Sequence, residues 1–186
     1  MLLSACQTKP TQQTTRNLTT YRVVGTPYDQ IADAVSKGLQ GTNANAVQID
    51  RSFVPAQLPA KPARLDLVNP LGGSRLGALA EASGSRLRVP TCPDAPYVAT
   101  GANQSMKQYG EATGYYVCLW PYEGGVNLDI YTSFSIQKGG LGNLGVDLAR
   151  SVVGDSSQFI QRSIDTVLEN VRATGATVEK LGELKA

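Results

Sequence analysis

Residues 114–137, GYYVCLWPYEGGVNLDIYTSFSIQ, decide the fold. In 126–137, Val126, Leu128, Ile130, Phe134 and Ile136 alternate with Asn127, Asp129, Ser133 and Gln137. A period of two is that of a β-strand with one buried face, and it predicts that the polar set faces water. Residues 114–120 precede it across Glu123-Gly124-Gly125, a turn that lets two antiparallel strands meet in a hairpin. The core of the fold is therefore read as an antiparallel sheet with one dry and one wet side.

The sheet needs a partner, and the sequence offers one beyond the hairpin. Leu141, Leu144, Leu148 and Val152 share a helical face, Gly154-Asp155-Ser156 breaks and recaps, and Phe159, Ile160, Ile164, Val167, Leu168 and Val171 form a second stripe that ends at Gly175. A long C-terminal helix is predicted to pack on the sheet, while for the glycine-rich stretch 139–153 a partner or membrane contact stays open beside core packing. Upstream, residues 19–24 read as a strand and Thr26-Pro27-Tyr28-Asp29 as a helix start, with Thr26 capping and Pro27 at the first helical position. Tyr28, Ile31, Val35 and Leu39 then mark one face of a helix over about 27–38, closed by Gly38 and Gly41. Val47, Ile49 and Phe53 alternate as a strand within 45–54, and Pro55, Pro59 and Pro62 mark a loop. Leu65 and Leu67 suggest a short strand, Ser74 a cap for a helix at 75–83, and Leu87 and Val89 another strand. Residues 93–113 show no clear period and read as a long loop.

Composition narrows the classes of function. A chain of 186 residues suits one domain, and 17 basic against 15 acidic residues leave a net charge of +2, too small a field to make nucleic acid a partner. No run of about 18 apolar residues occurs, so no spanning helix is predicted. The absence of histidine removes the commonest general base and every Ser-His or Cys-His arrangement, so no catalytic residue is assigned. Gly140-Leu-Gly-Asn-Leu-Gly145 matches a dinucleotide fingerprint in letters, but the alternating strand before it is half-solvated, whereas that fold needs a continuously apolar parallel strand. Ser135-Ile-Gln-Lys138 matches S-x-x-K without opening a helix, and Asp29 with Asp33 reads as a solvated helix face. Tyr115, Tyr116, Trp120 and Tyr122 cluster around the hairpin. They form the one candidate binding surface, able to stack on a sugar or a peptide, although half of them can equally close the core beside Cys118. No cofactor is implied.

At the other end, Leu3-Ser4-Ala5-Cys6 resembles a bacterial lipobox, whose cysteine is lipidated and becomes the mature N-terminus. In that family a charged region and an apolar stretch precede the motif, whereas five residues do so here, so an upstream start or a shortened chain is expected. The resemblance implies that residues 1–6 are the remnant of a signal, that Cys6 carries lipid, and that the protein faces the periplasm. Gln7 in place of Asp implies, in such lipoproteins, sorting to the outer membrane. Residues 7–18 are polar and lack a hydrophobic period, and they read as a flexible tether to a periplasmic α+β domain over 19–186.

If Cys6 takes lipid, Cys92 and Cys118 remain as an even pair and a disulfide is expected, the alternative being two separate buried thiols. A metal is not: two distant cysteines without histidine cannot complete a tetrahedral shell. The element order, with an antiparallel sheet ahead of a long C-terminal helix, resembles the helix-grip domains of barrel-assembly-machinery lipoproteins. That resemblance implies a structural or assembly subunit held to the membrane by its lipid and bound to an envelope protein. A binding module with an apolar ligand or lipid between sheet and helix is the alternative.

Overall fold

A computed structural model describes residues 11–42, 46–82, 88–103, 111–138 and 156–185. In chain order the elements are β1 (Thr11–Val24), α1 (Tyr28–Gln40), β2 (Ala46–Arg51), β3 (Asp66–Val68), α2 (Arg75–Ala82), β4 (Val89–Thr91), β5 (Tyr97–Asn103), β6 (Glu111–Tyr122), β7 (Gly125–Lys138), α3 (Ser156–Ala173) and β8 (Thr177–Lys185). Six strands form one antiparallel sheet in the order β2-β5-β6-β7-β1-β8, and β3 pairs with β4 in a small second sheet. The architecture is α+β with one disulfide, between Cys92 and Cys118.

The predicted hairpin is the centre of the large sheet. β6 and β7 pair with Val117 opposite Ile130 and Cys118 opposite Asp129, and the turn closes on Gly125 at φ 124°, a conformation open to glycine. Tyr115, Val117, Leu119, Val126, Leu128 and Ile130 face the helices, together with Tyr21, Val23, Tyr97 and Ala99. α1 adds Ile31, Val35 and Leu39, and α3 adds Ile164, Val167, Leu168 and Val171, each set at helical spacing on one buried face. Gly38 does not stop α1. A Cβ on it would lie 2.7 Å from Val167 Cα, so this glycine lets the two helices touch while the helix runs on to Gln40. Nor does Thr26 cap: its hydroxyl donates to the Thr174 carbonyl at 3.3 Å, and α1 starts without a side-chain cap.

Four other expectations are corrected. β1 begins at Thr11, so residues 11–18 of the expected tether lie in the sheet, paired with β7 throughout and with β8 from Asn17 onward. This backbone pairing and β-branched threonines at 11, 14, 15, 19 and 20 hold the strand where apolar residues are few. The expected long loop 93–113 contains β5, whose core-facing Tyr97, Ala99 and Gly101 include too little apolar volume to show a period; the Tyr115 ring lies where a Cβ on Gly101 would stand, 2.1 Å from Cζ. A long C-terminal helix does not close the chain, because α3 ends at Ala173 and β8 returns to pair with β1. Finally, the second face of the hairpin is wet only in part: Asn127 and Asp129 are each 1% exposed, whereas Ser133 is half-buried.

Among the described residues no helix is long and apolar enough to cross a membrane. β7 is antiparallel to both neighbours, which is the wrong setting for a dinucleotide fingerprint, although 140–145 itself lies outside the described residues, as do Cys6 and the glycine-rich stretch 139–153.

Candidate functional site: the covered outer face

The side of the sheet away from α1 and α3 carries the features that packing alone does not explain. Alternation along β6 sends Tyr116, Cys118 and Trp120 there, where they meet Leu65, Leu67, Cys92, Ala95 and Tyr131 in a second apolar cluster. The covering chain runs from Ser52 to Pro96. It is fixed at one end by the Ser52 amide donating to the Pro96 carbonyl at 2.8 Å, and at the hairpin by the Glu123 amide donating to the Pro59 carbonyl at 3.1 Å. The Trp120 indole N–H donates to the Pro93 carbonyl at 2.9 Å, and beside it Cys92 is bonded to Cys118, with Cα atoms 6.3 Å apart. One covalent bond and several backbone contacts thus clamp an otherwise irregular segment, rich in proline, onto a β-strand.

Asp129 is the polar anchor of this face. Its Oδ1 accepts from the Thr20 hydroxyl at 2.7 Å and from Asn127 Nδ2 at 3.0 Å, and its Oδ2 accepts from the Leu65 amide at 2.9 Å. Arg64, itself half-exposed, brings its guanidinium to 3.6 Å. A buried carboxylate is costly unless its lone pairs are matched, and here strand β1, strand β7 and the covering chain each supply a donor. The arrangement is that of a tie between cover and sheet.

Beside the tie, the cover stops short and a groove of about 380 Å³ opens on the same face. Register explains its shape. Arg16, Ser133 and Gly114 stand in one row across β1, β7 and β6, with Thr14 and Ser135 in the next row on one side and Tyr131 and Tyr116 on the other. Gly114 leaves that row without a side chain beside Ser133, and Arg88, Val89 and Pro90 from the edge of the cover form the wall. Thr14 and Ser135 share a hydrogen bond between hydroxyls at 2.9 Å. Burial raises the pKa of the Tyr131 phenol, and the nearby Arg16 guanidinium partly offsets the rise. Arg88 donates to the Leu67 carbonyl at 3.2 Å. None of the eleven described residues that line it is acidic.

The opposite face offers no comparable space. Among the described residues, the gap between sheet and helices lined by Leu39, Val117, Ile130, Ile164 and Val167 measures about 10 Å³, which is roughly the room one water needs.

Of the four aromatic residues predicted to form a surface, the fold divides them. Tyr115 points to the helix side, where its hydroxyl hydrogen-bonds Thr42 and burial raises its pKa. Tyr116 borders the groove, Trp120 is buried under the cover, and Tyr122 stands at the hairpin end, outside the groove lining. The sequence does not single out Arg16, Arg88 and Thr14, and it marks Ser133 only as one of the polar residues alternating along the strand. The one signal for them is the run of hydroxyl residues alternating through Thr132-Ser133-Phe134-Ser135, and it does not name the strands that flank it. Ser135, noted within S-x-x-K, sits inside β7 with its hydroxyl on Thr14. No protein-family model and no curated protein matches the chain.

Proposed function

We propose that this chain is a non-catalytic, lipid-anchored lipoprotein of the cell envelope, on the periplasmic face of the outer membrane, serving as a structural or assembly subunit of a larger complex. The observation that carries the reading is the Cys92–Cys118 disulfide. Such bonds belong to oxidising compartments, and this one uses two of the three cysteines, leaving only the cysteine of the lipobox-like Leu3-Ser4-Ala5-Cys6. The role as a subunit is supported by the free edge of β8, where Leu184 is 70% exposed, and by Leu76 and Leu79 on one exposed side of α2. In this reading the sheet and its helices form a helix-grip-like body, with β8 as the addition to that plan, and the partner is an envelope protein.

The test is expression from the gene's own start in cells fed radiolabelled palmitate, followed by crosslinking in the intact envelope. Label is expected on the wild type and not on Cys6→Ser, with a crosslinked partner of fixed size. Unlabelled wild-type protein would overturn the anchor, and a purely monomeric product the role as a subunit. A second reading, a binding module, is favoured by the groove on the outer face rather than by the filled gap beneath the helices.

A further inference from the structure

The groove has a chemistry of its own that does not depend on the anchor at Cys6. We propose that it binds a saccharide bearing an anionic oxygen group, a carboxylate or a phosphate, with Arg16 and Arg88 holding the charge and Tyr116 flanking the ring. The volume, about 380 Å³, lies in the range that holds a small ligand. Among the described residues, both charged residues that line it are cationic and no carboxylate of the lining answers them. A guanidinium has five donors in a planar fork; among the described residues Arg88 spends one on the Leu67 carbonyl, and Arg16 stands beside Tyr131 in the lining. That geometry suits an oxyanion, which each guanidinium can meet with two parallel N–H bonds. The rest of the floor fits a sugar better than an apolar chain. Ser133 presents a hydroxyl in the row that Gly114 leaves open, and in the next row the half-buried Tyr116 supplies aromatic surface with a polar tip while Tyr131 is buried beside it.

An acidic peptide would also answer two arginines, and the stretch Thr11–Arg16 of β1, which β8 does not pair, borders the groove; but the groove lies on the face of the sheet across β1, β7 and β6, so a chain seated in it crosses the strands instead of pairing with them. A sugar phosphate from a lipid headgroup and an acidic sugar from a glycan share the chemistry, and the probes distinguish them.

The experiment is a titration of the oxidised protein, followed by amide chemical shifts, with glucose 6-phosphate, glucuronic acid, glucose and inorganic phosphate. Saturable shifts centred on residues 14–16, 114–116 and 131–135 are expected for one or both acidic sugars. Glucose and inorganic phosphate should each bind about tenfold or more weakly, since each lacks half of the contacts. A preference for the phosphate points to headgroups, and one for the carboxylate to glycans. Arg16→Ala with Arg88→Ala should remove the preference for charge, and Gly114→Leu, which keeps both arginines and fills the floor, should abolish binding while the rest of the amide spectrum is unchanged. The proposal is overturned if neither acidic sugar saturates, if glucose binds as well as they do, or if the double arginine variant binds unchanged. Lipidation at Cys6 plays no part in this readout, so a failure here leaves the anchor standing, and the reverse.

Discussion

The two faces of the central sheet are built from alternate residues of the same strands, yet they are held by different physics. On the helix side, Val117, Leu128, Val23 and Ile31 are completely buried, helices touch at Gly38, and close packing of apolar side chains fills the space. On the outer side the cover is irregular, and it stays in place through a disulfide, a buried carboxylate and a few backbone bonds. Apolar packing is spread over many residues and leaves no room, whereas point attachments leave part of the surface open. The difference teaches where a ligand can enter: among the described residues, the face held at points carries a groove of about 380 Å³ and the packed face a gap of about 10 Å³.

The comparison predicts that damage on each side differs in size and reach. Leu128→Ala removes a side chain with no exposure from the centre of the helix side, and its residual cavity should lower stability by about 3 to 5 kcal/mol in a denaturant titration, the largest effect considered. A loss below about 1 kcal/mol would mean that the helices collapse onto the gap and that the packing is not rigid. Asp129→Ala strips three donors of their acceptor, including the Leu65 amide, and should cost roughly 2 to 3 kcal/mol. Its signature is local: the Leu65 amide should exchange faster with solvent, while the α1 amides follow the global loss alone.

The smallest effect is one of pH, and it weighs mainly on the helix side. Burial raises the pKa of Tyr21, Tyr28, Tyr97 and Tyr115 on that side and of Tyr131 on the other. In the unfolded chain these phenols lose protons near pH 10. A raised folded value means that their contribution is complete below that point and is lost as the pH climbs from about 10 towards the folded values. Stability should therefore be flat from neutral pH to about 9 and fall above it, with phenolate absorbance rising with unfolding. Full ionisation of all eight tyrosines in the folded protein near pH 10 would contradict the buried positions.

The helix side was largely legible in the sequence because apolar periodicity is what such packing leaves behind. Val126, Leu128 and Ile130 on β7, Ile31, Val35 and Leu39 on α1, and Ile164, Val167 and Val171 on α3 all sit where their spacing put them. The outer side was not. Asp129 and Asn127 look solvated in a strand pattern, and only the chain between Ser52 and Pro96, distant in sequence, buries them. β1 and β8 were hidden for a related reason: Thr11–Leu18 and Thr177–Lys185 are held by ladder hydrogen bonds, which any side chain permits, rather than by an apolar stripe. The candidate site shared this fate, since Arg16 and Arg88 become neighbours only through the pairing of β1 with β7 and the return of the cover. The Cys92–Cys118 bond is the one element of the outer face that counting residues could find.

The claim that two independently held faces share one sheet is tested most directly by hydrogen exchange before and after the Cys92–Cys118 bond is reduced under native conditions. Expected is a large rise in exchange at Ser52, Leu65 and Ala95 through local opening, with the amides of Ile31 to Leu39 and of Ile164 to Val171 losing protection only by the global loss, roughly 3 to 4 kcal/mol for a loop closed across 26 residues. Equal loss of protection on both faces would contradict it, because the cover would then be part of one cooperative core.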